Sequence, residues 1–166
     1  GAAYRSGFLV TIDIPGYGRS PAGTAEMSRF DMAQALWETL DEICPGEPAV
    51  LVGCSVGSSL VPHMYKLRPE QTKAMIVCGT GYRGPDEVSP HIQFYKDNGL
   101  SYRWDFTFKD FSAGFGATPM ASYLARLFTE RDAFADLPTI LTQLAASRPA
   151  EEFFQAIDCP MIILSG

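Results

Sequence analysis

The chain has few charges and nowhere concentrates them. Charged residues make up 19%, against roughly 25% in an average soluble domain. Thirteen Lys and Arg stand against nineteen Asp and Glu, for a net charge of −6. No basic cluster exists to neutralise phosphates, which argues against nucleic acid as a partner. The same deficit disfavours anionic membrane surfaces. No apolar stretch approaches the ~18 residues that cross a bilayer. The four cysteines, Cys44, Cys54, Cys78 and Cys159, contain no C-x-x-C pair, so no zinc site is expected. Their scatter suits the reduced thiols of a cytoplasmic protein better than a disulfide framework. There is no internal repeat and no low-complexity segment. The opening residues, GAAYRSGFLVTIDIPG, carry neither an initiator Met nor a cleavable signal pattern. A chain trimmed, processed or incomplete at its start is the expectation.

What is present is apolar. Hydrophobic residues are 46% of 166, enough for one sizeable core and short of two domains at about 150 residues each. The β-branched run Phe8 to Ile14 predicts a buried strand, ended by Pro15-Gly16-Tyr17-Gly18. Met32, Leu36, Leu40 and Ile43 recur at helical spacing, predicting a helix from about Ser28 to Ile43 that Pro45-Gly46 terminates. Ala49 to Val52 and Ala74 to Cys78 predict two more strands. The helix between them, Gly57 to Leu67, contains Pro62, which should kink it unless it falls in the first turn. Further helices are predicted near 121–128, 137–144 and 151–157, then a last strand at Met161 to Leu164. Strand–helix alternation implies an α/β fold: a parallel sheet with helices on both faces. The expected organisation is a partial core over 1–81, a helical cap over 82–155 and a return to the core over 156–166.

The strongest local signal is Gly53-Cys54-Ser55-Val56-Gly57, set between a strand and a helix. This G-x-S-x-G pattern describes a nucleophile elbow, a turn so tight that its central residue is strained and residues two places either side must be small. The turn lifts the Ser55 hydroxyl to the sheet edge, beside the free N–H groups of a helix N-terminus. An oxyanion formed there would take the Val56 backbone N–H as one donor. Cys54 is a weaker candidate nucleophile, since Val52 and Val56 would be its flanks and both are bulky. The pattern also arises by chance in glycine-rich loops; the strand before it and the helix after it favour the catalytic reading.

Phe8 to Ser20, with Asp13-Ile14-Pro15-Gly16-Tyr17-Gly18-Arg19-Ser20, resembles the strand and D-x-P-G-x-G-x-S segment of α/β-hydrolases. Val50 to Gly57 is similar to the elbow that follows one helix later. Arg68-Pro69-Glu70 through Val77 resembles that family's run into the next strand, and Cys159-Pro160 through Gly166 its strand after the cap. The resemblance implies an α/β-hydrolase core with a helical cap, Ser55 as nucleophile, and no metal or organic cofactor.

The departures are equally informative. The family's acid and histidine usually follow the last strand seen here, so the chain reads as an internal piece of a longer hydrolase, inactive by itself. Its two histidines are poor bases: His63, two turns into the helix, is expected to pack or face solvent, and His91 to be an ordinary cap residue. One variant of the family places the acid after the third strand, but Gly79 to Tyr82 offer none, and Asp86 or Glu87 would substitute poorly. The H-G loop that gives a second oxyanion donor is missing. In the family's sheet another strand lies between the first and second strands predicted here. A slot beside the elbow strand is expected, to be filled by a partner copy or by the rest of a parent chain.

Gly79-Thr80-Gly81-Tyr82-Arg83-Gly84 satisfies G-x-G-x-x-G but opens no helix, so it is not read as a dinucleotide site. Gly16-Tyr17-Gly18 is a turn without a P-loop lysine. The resemblance implies that Asp13 is a structural carboxylate that fixes its loop. Phe94, Tyr95, Tyr102, Trp104, Phe106, Phe108, Phe111 and Phe115 should mostly pack the cap, and some could wall an apolar acyl pocket. The expected activity is cleavage of an ester, lactone or related small apolar acyl substrate through an acyl-enzyme on Ser55. The alternatives are an inactive hydrolase-fold binding module, or acyl transfer to a thiol or alcohol.

Overall fold

A computed structural model describes residues 7–23, 27–79, 91–99, 111–132, 136–145 and 151–165. Helix α1 (Arg29–Ile43) begins at Ser28, whose hydroxyl accepts from the Asp31 amide while the Asp31 carboxylate accepts from the Ser28 amide. This reciprocal capping satisfies two donors that a helix start otherwise leaves open. Strand β1 (Ala49–Cys54) follows, then helix α2 (Val56–Leu67), a short 3-10 turn (Pro69–Gln71) and strand β2 (Thr72–Cys78). Pro62 lies beyond the first turn of α2, and the helix continues through it to Leu67. After β2 come helices α3 (His91–Asn98), α4 (Ala113–Gly116), α5 (Pro119–Asp132), α6 (Leu137–Ala145) and α7 (Glu151–Gln155), then strand β3 (Met161–Leu164).

The three strands form one parallel sheet in the order β1-β2-β3. Apolar residues of α1 and α2 pack with one sheet face: Met32, Leu36 and Trp37 share a cluster with Leu60, Val61, Met64, Leu51, Met75 and Val77. Trp37 anchors it at 1% exposure. Its indole N–H donates to the Met64 carbonyl at 2.9 Å, and the Arg68 guanidinium, paired with Asp41, lies over its ring. Arg68 thereby closes the end of α2 over the core.

The fold is the expected α/β arrangement of a parallel sheet with helices. Among the described residues α1 and α2 pack on one face of β1 and β2, while Val50, Val52 and all four residues of β3 are exposed.

The predicted strand at Phe8 to Ile14 is corrected: among the described residues the segment joins no sheet. Phe8 and Leu9 are exposed at 92% and 84%, while Ile12 and Ile14 pack against the core cluster. The side chains still alternate as in a strand, but no neighbouring backbone completes a ladder. Among the described residues β1 pairs only with β2, so the elbow strand borders an open edge on its other side.

The loop after this segment joins it to α6. The Asp136 amide donates to the Gly16 carbonyl at 2.8 Å, and a Cβ on Gly16 (φ 81°) would lie 2.7 Å from the Thr139 side chain. Tyr95 of α3 and Ile140 of α6 are buried together, with Tyr17 against them. Across the chain, Gln143 of α6 donates to the Met27 carbonyl and accepts from Arg29 through its own carbonyl.

The one-sided sheet predicts opposite responses to truncation. Leu60→Ala, at a position 1% exposed, should lower unfolding free energy by about 2–5 kcal/mol. Val52→Ala, on the open face, should cost less than about 1 kcal/mol. Urea midpoints of the two variants check this.

Candidate active site

β1 carries the chain to Cys54, α2 starts at Val56, and Ser55 alone makes the connection. Its backbone sits at φ 53° and ψ −118°, the one non-glycine residue with positive φ among those described. Such a conformation costs a non-glycine residue about 1–3 kcal/mol and persists only where its surroundings impose it. Two contacts impose it here. The Ser55 amide donates to the Cys78 carbonyl on the neighbouring strand at 2.9 Å. The Ser55 carbonyl accepts from the Ser58 amide at 3.0 Å and from the buried Ser58 hydroxyl at 2.6 Å.

Gly53 is needed for the turn to close. A Cβ there would collide with the Gly57 carbonyl and lie 2.7 Å from the Ser58 nitrogen. Gly57 is different, since a Cβ at that position meets nothing within 4 Å. The demand for a small residue is therefore one-sided: the first glycine faces backbone and the second faces open space. The expectation of crowding at both positions is corrected accordingly.

The Ser55 side chain is exposed and makes no capping bond to α2, although Ser55 occupies the N-cap position. The hydroxyl is left outside the helix's own bonding. Val56 is the first residue of α2, so its amide has no carbonyl one turn earlier to bond. A hydroxyl next to uncommitted helix N–H groups can attack a carbonyl and have the developing negative charge held where the helix dipole favours it.

His63 is not part of this arrangement. It is 4% exposed on α2, with Nδ1–H donating to the Ser59 carbonyl at 2.8 Å. Its ring lies 4.8 Å from those of both Phe30 and Phe153. Burial holds its pKa below the ordinary value, the hydrogen bond to Ser59 opposes this, and the Arg29 charge adds to the lowering. Of the two roles expected for it, packing and facing solvent, it has the first. The side chain of His91 and residues 80–90, with Asp86 and Glu87, lie outside the described residues. So do Tyr102, Trp104, Phe106 and Phe108, and most of the 79–84 glycine pattern. Phe111 and Phe115 meet edge to face at 5.1 Å. Asp13 holds its loop: its carboxylate accepts from the Arg19 amide at 3.0 Å, and its carbonyl from the Ser20 hydroxyl at 2.6 Å. Among the described residues, no three His, Cys, Asp or Glu side chains gather as a metal site, and no helix is long and apolar enough to cross a membrane.

Two features of the site were not anticipated from sequence. Ser58 is one; its hydroxyl closes the turn, and the only sequence signal is a serine three residues after the strained one, the spacing of a side-chain-to-backbone bond in a helix's first turn. The facing of Cys54 and Cys78 across β1 and β2 is the other, and strand register carries no signal in the residues themselves.

Fold and turn together define an α/β-hydrolase. The alpha/beta hydrolase fold family model matches residues 5–158, and the chain belongs to that family. Over 83 residues it is 36% identical to a pimeloyl-[acyl-carrier protein] methyl ester esterase of Chromobacterium violaceum, a match spanning 49% of this chain and 30% of the relative. Its fold is similar to a thermophilic esterase from Thermogutta terrifontis (TM-score 0.69, 18% identity, 93% of this chain and 59% of that one). It is likewise similar to Est816, described as an N-acyl homoserine lactone degrading enzyme (TM-score 0.68, 15% identity, 91% and 61%). The matched part of this chain thus spans less than two thirds of each of these relatives.

The packing of His63 gives the protein a pH response of definite sign. With the folded pKa lowered, its contribution to stability is complete above the unfolded imidazole value, about 6.5, and is lost as pH falls below it. The urea midpoint should fall between pH 7.5 and 5.5, and His63→Leu should flatten that fall. An unchanged slope in the variant would contradict the assignment.

Proposed function

We propose that Ser55 is the nucleophile of an ester- or lactone-cleaving reaction that passes through an acyl-enzyme. The observation that carries this reading is the strained, exposed serine at the head of α2. Strain in an exposed serine whose side chain makes no capping bond accords with a role in chemistry. The Ser55 oxygen attacks the acyl carbonyl, and the Val56 amide donates to the tetrahedral oxyanion. The alkoxide leaves with a proton, and water releases the acid. The ester and lactone chemistry named for the relatives fits this sequence of steps.

In this proposal a histidine and an acid of the parent chain carry and orient the proton, and His63, packed between two phenylalanines, is not that histidine. The helices between β2 and β3 act as the cap, and their aromatic residues make the acyl pocket apolar. The open edge of β1 receives further strand from the rest of a parent chain. Alone, the 166 residues hydrolyse a p-nitrophenyl ester about a hundred- to ten-thousandfold more slowly than the longer protein, the usual contribution of general acid–base catalysis. A cytoplasmic setting suits the free thiols.

The sequestered His63 also favours a second reading, a hydrolase-fold module that binds acyl compounds without cleaving them. A fluorophosphonate probe on the longer protein separates the two. The proposal expects labelling that Ser55→Ala abolishes. An unlabelled wild type, or labelling that survives Ser55→Ala, overturns it.

A further inference from the structure

We propose that Cys54 and Cys78 form a reversible dithiol–disulfide pair immediately ahead of Ser55. The two residues are register partners at the C-terminal ends of β1 and β2. Paired residues of a parallel ladder project to the same sheet face, and burial agrees: Val50, Val52 and Cys54 are exposed opposite the partly buried Ala74, Ile76 and Cys78. Both thiols are therefore on the face that no described helix covers. Both are free.

Geometry permits a bond. Neighbouring strands lie about 4.8 Å apart, within the Cα separation of about 4.4–6.8 Å that disulfides span. The β1–β2 ladder ends at this pair, and Gly79 follows with a positive φ of 69°, its amide donating to the Leu164 carbonyl at 2.9 Å. The remaining thiols do not compete for the pair. Cys44 caps the end of α1, and Cys159 precedes β3, whose first residue pairs with Met75, well back from Cys78.

The oxidant is a peroxide. Cys54, the more exposed, attacks as thiolate, the O–O bond breaks, water leaves and a sulfenic acid remains. The Cys78 sulfur then displaces that oxygen as a second water, forming the S–S bond. Two thiols lose two electrons and two protons, and hydrogen peroxide becomes two waters. Because the Ser55 amide already donates to the Cys78 carbonyl, the bridge joins the two strand ends that hold the elbow. The inference rests on strand register, independent of the acyl chemistry proposed for Ser55, and its test reads thiols.

The chain is treated with hydrogen peroxide, alkylated, and mapped with trypsin without reduction; Lys66 and Lys73 let the two cysteines separate into different peptides. The proposal expects loss of two of the four thiols. It also expects peptide 30–66 joined to 74–83 at about 2 Da below their summed mass, reversed by dithiothreitol. Cys44→Ser/Cys159→Ser, which keeps both proposed partners, should give the same linked pair. In Cys78→Ser the Cys54 sulfenic acid should persist and be trapped by dimedone. Both cysteines still alkylated after peroxide, both oxidised to unlinked sulfinic acids, or a link only between two molecules would overturn it.

Discussion

The structure depends on one strained turn. Ser55 is held at positive φ by a strand on one side, through the Cys78 carbonyl, and by a helix on the other, through Ser58. Gly53 makes the closure possible, because only a residue without a side chain fits against the Gly57 carbonyl. The core then fixes the two elements that impose the turn. Leu51 of β1 and Leu60, Val61 and Met64 of α2 are buried in one cluster with Trp37, so relaxing Ser55 would require moving packed side chains. Close packing of this kind resists small displacements. A serine would otherwise find an easier conformation.

Part of the sheet has no cover among the described residues: α1 and α2 pack on one face of β1 and β2, while Val50, Val52, all of β3 and the free side of β1 lie open. Exposed parallel sheet is unusual, since such sheets are ordinarily buried on both faces.

Much of this was legible in the residues. Short apolar runs located β1, β2 and β3, the helical spacing of Met32, Leu36, Leu40 and Ile43 located α1, and G-x-S-x-G, with the strand before and the helix after, marked the turn. The Asp13 loop was legible through the resemblance. What failed was non-local. Phe8 to Ile14 alternates like a strand, yet a strand assignment needs a neighbour's backbone, which no residue pattern within the segment can reveal. Crowding at Gly57 follows from the motif's demand for small residues on both sides of the serine, but a Cβ there meets open space. His63 could pack or point outward by its helical position alone; only the presence of Phe30 and Phe153 decided.

The central claim is that Ser55 is strained and that the fold imposes the strain. Equilibrium denaturation of Ser55→Gly beside Ser55→Ala tests it most directly, since glycine tolerates positive φ and alanine does not. The account predicts that Ser55→Gly is more stable than the wild type by about 1 kcal/mol, while Ser55→Ala gains nothing. A Ser55→Gly variant no more stable than Ser55→Ala would mean that the turn is relaxed, and the case for a serine held ready for acyl chemistry would go with it.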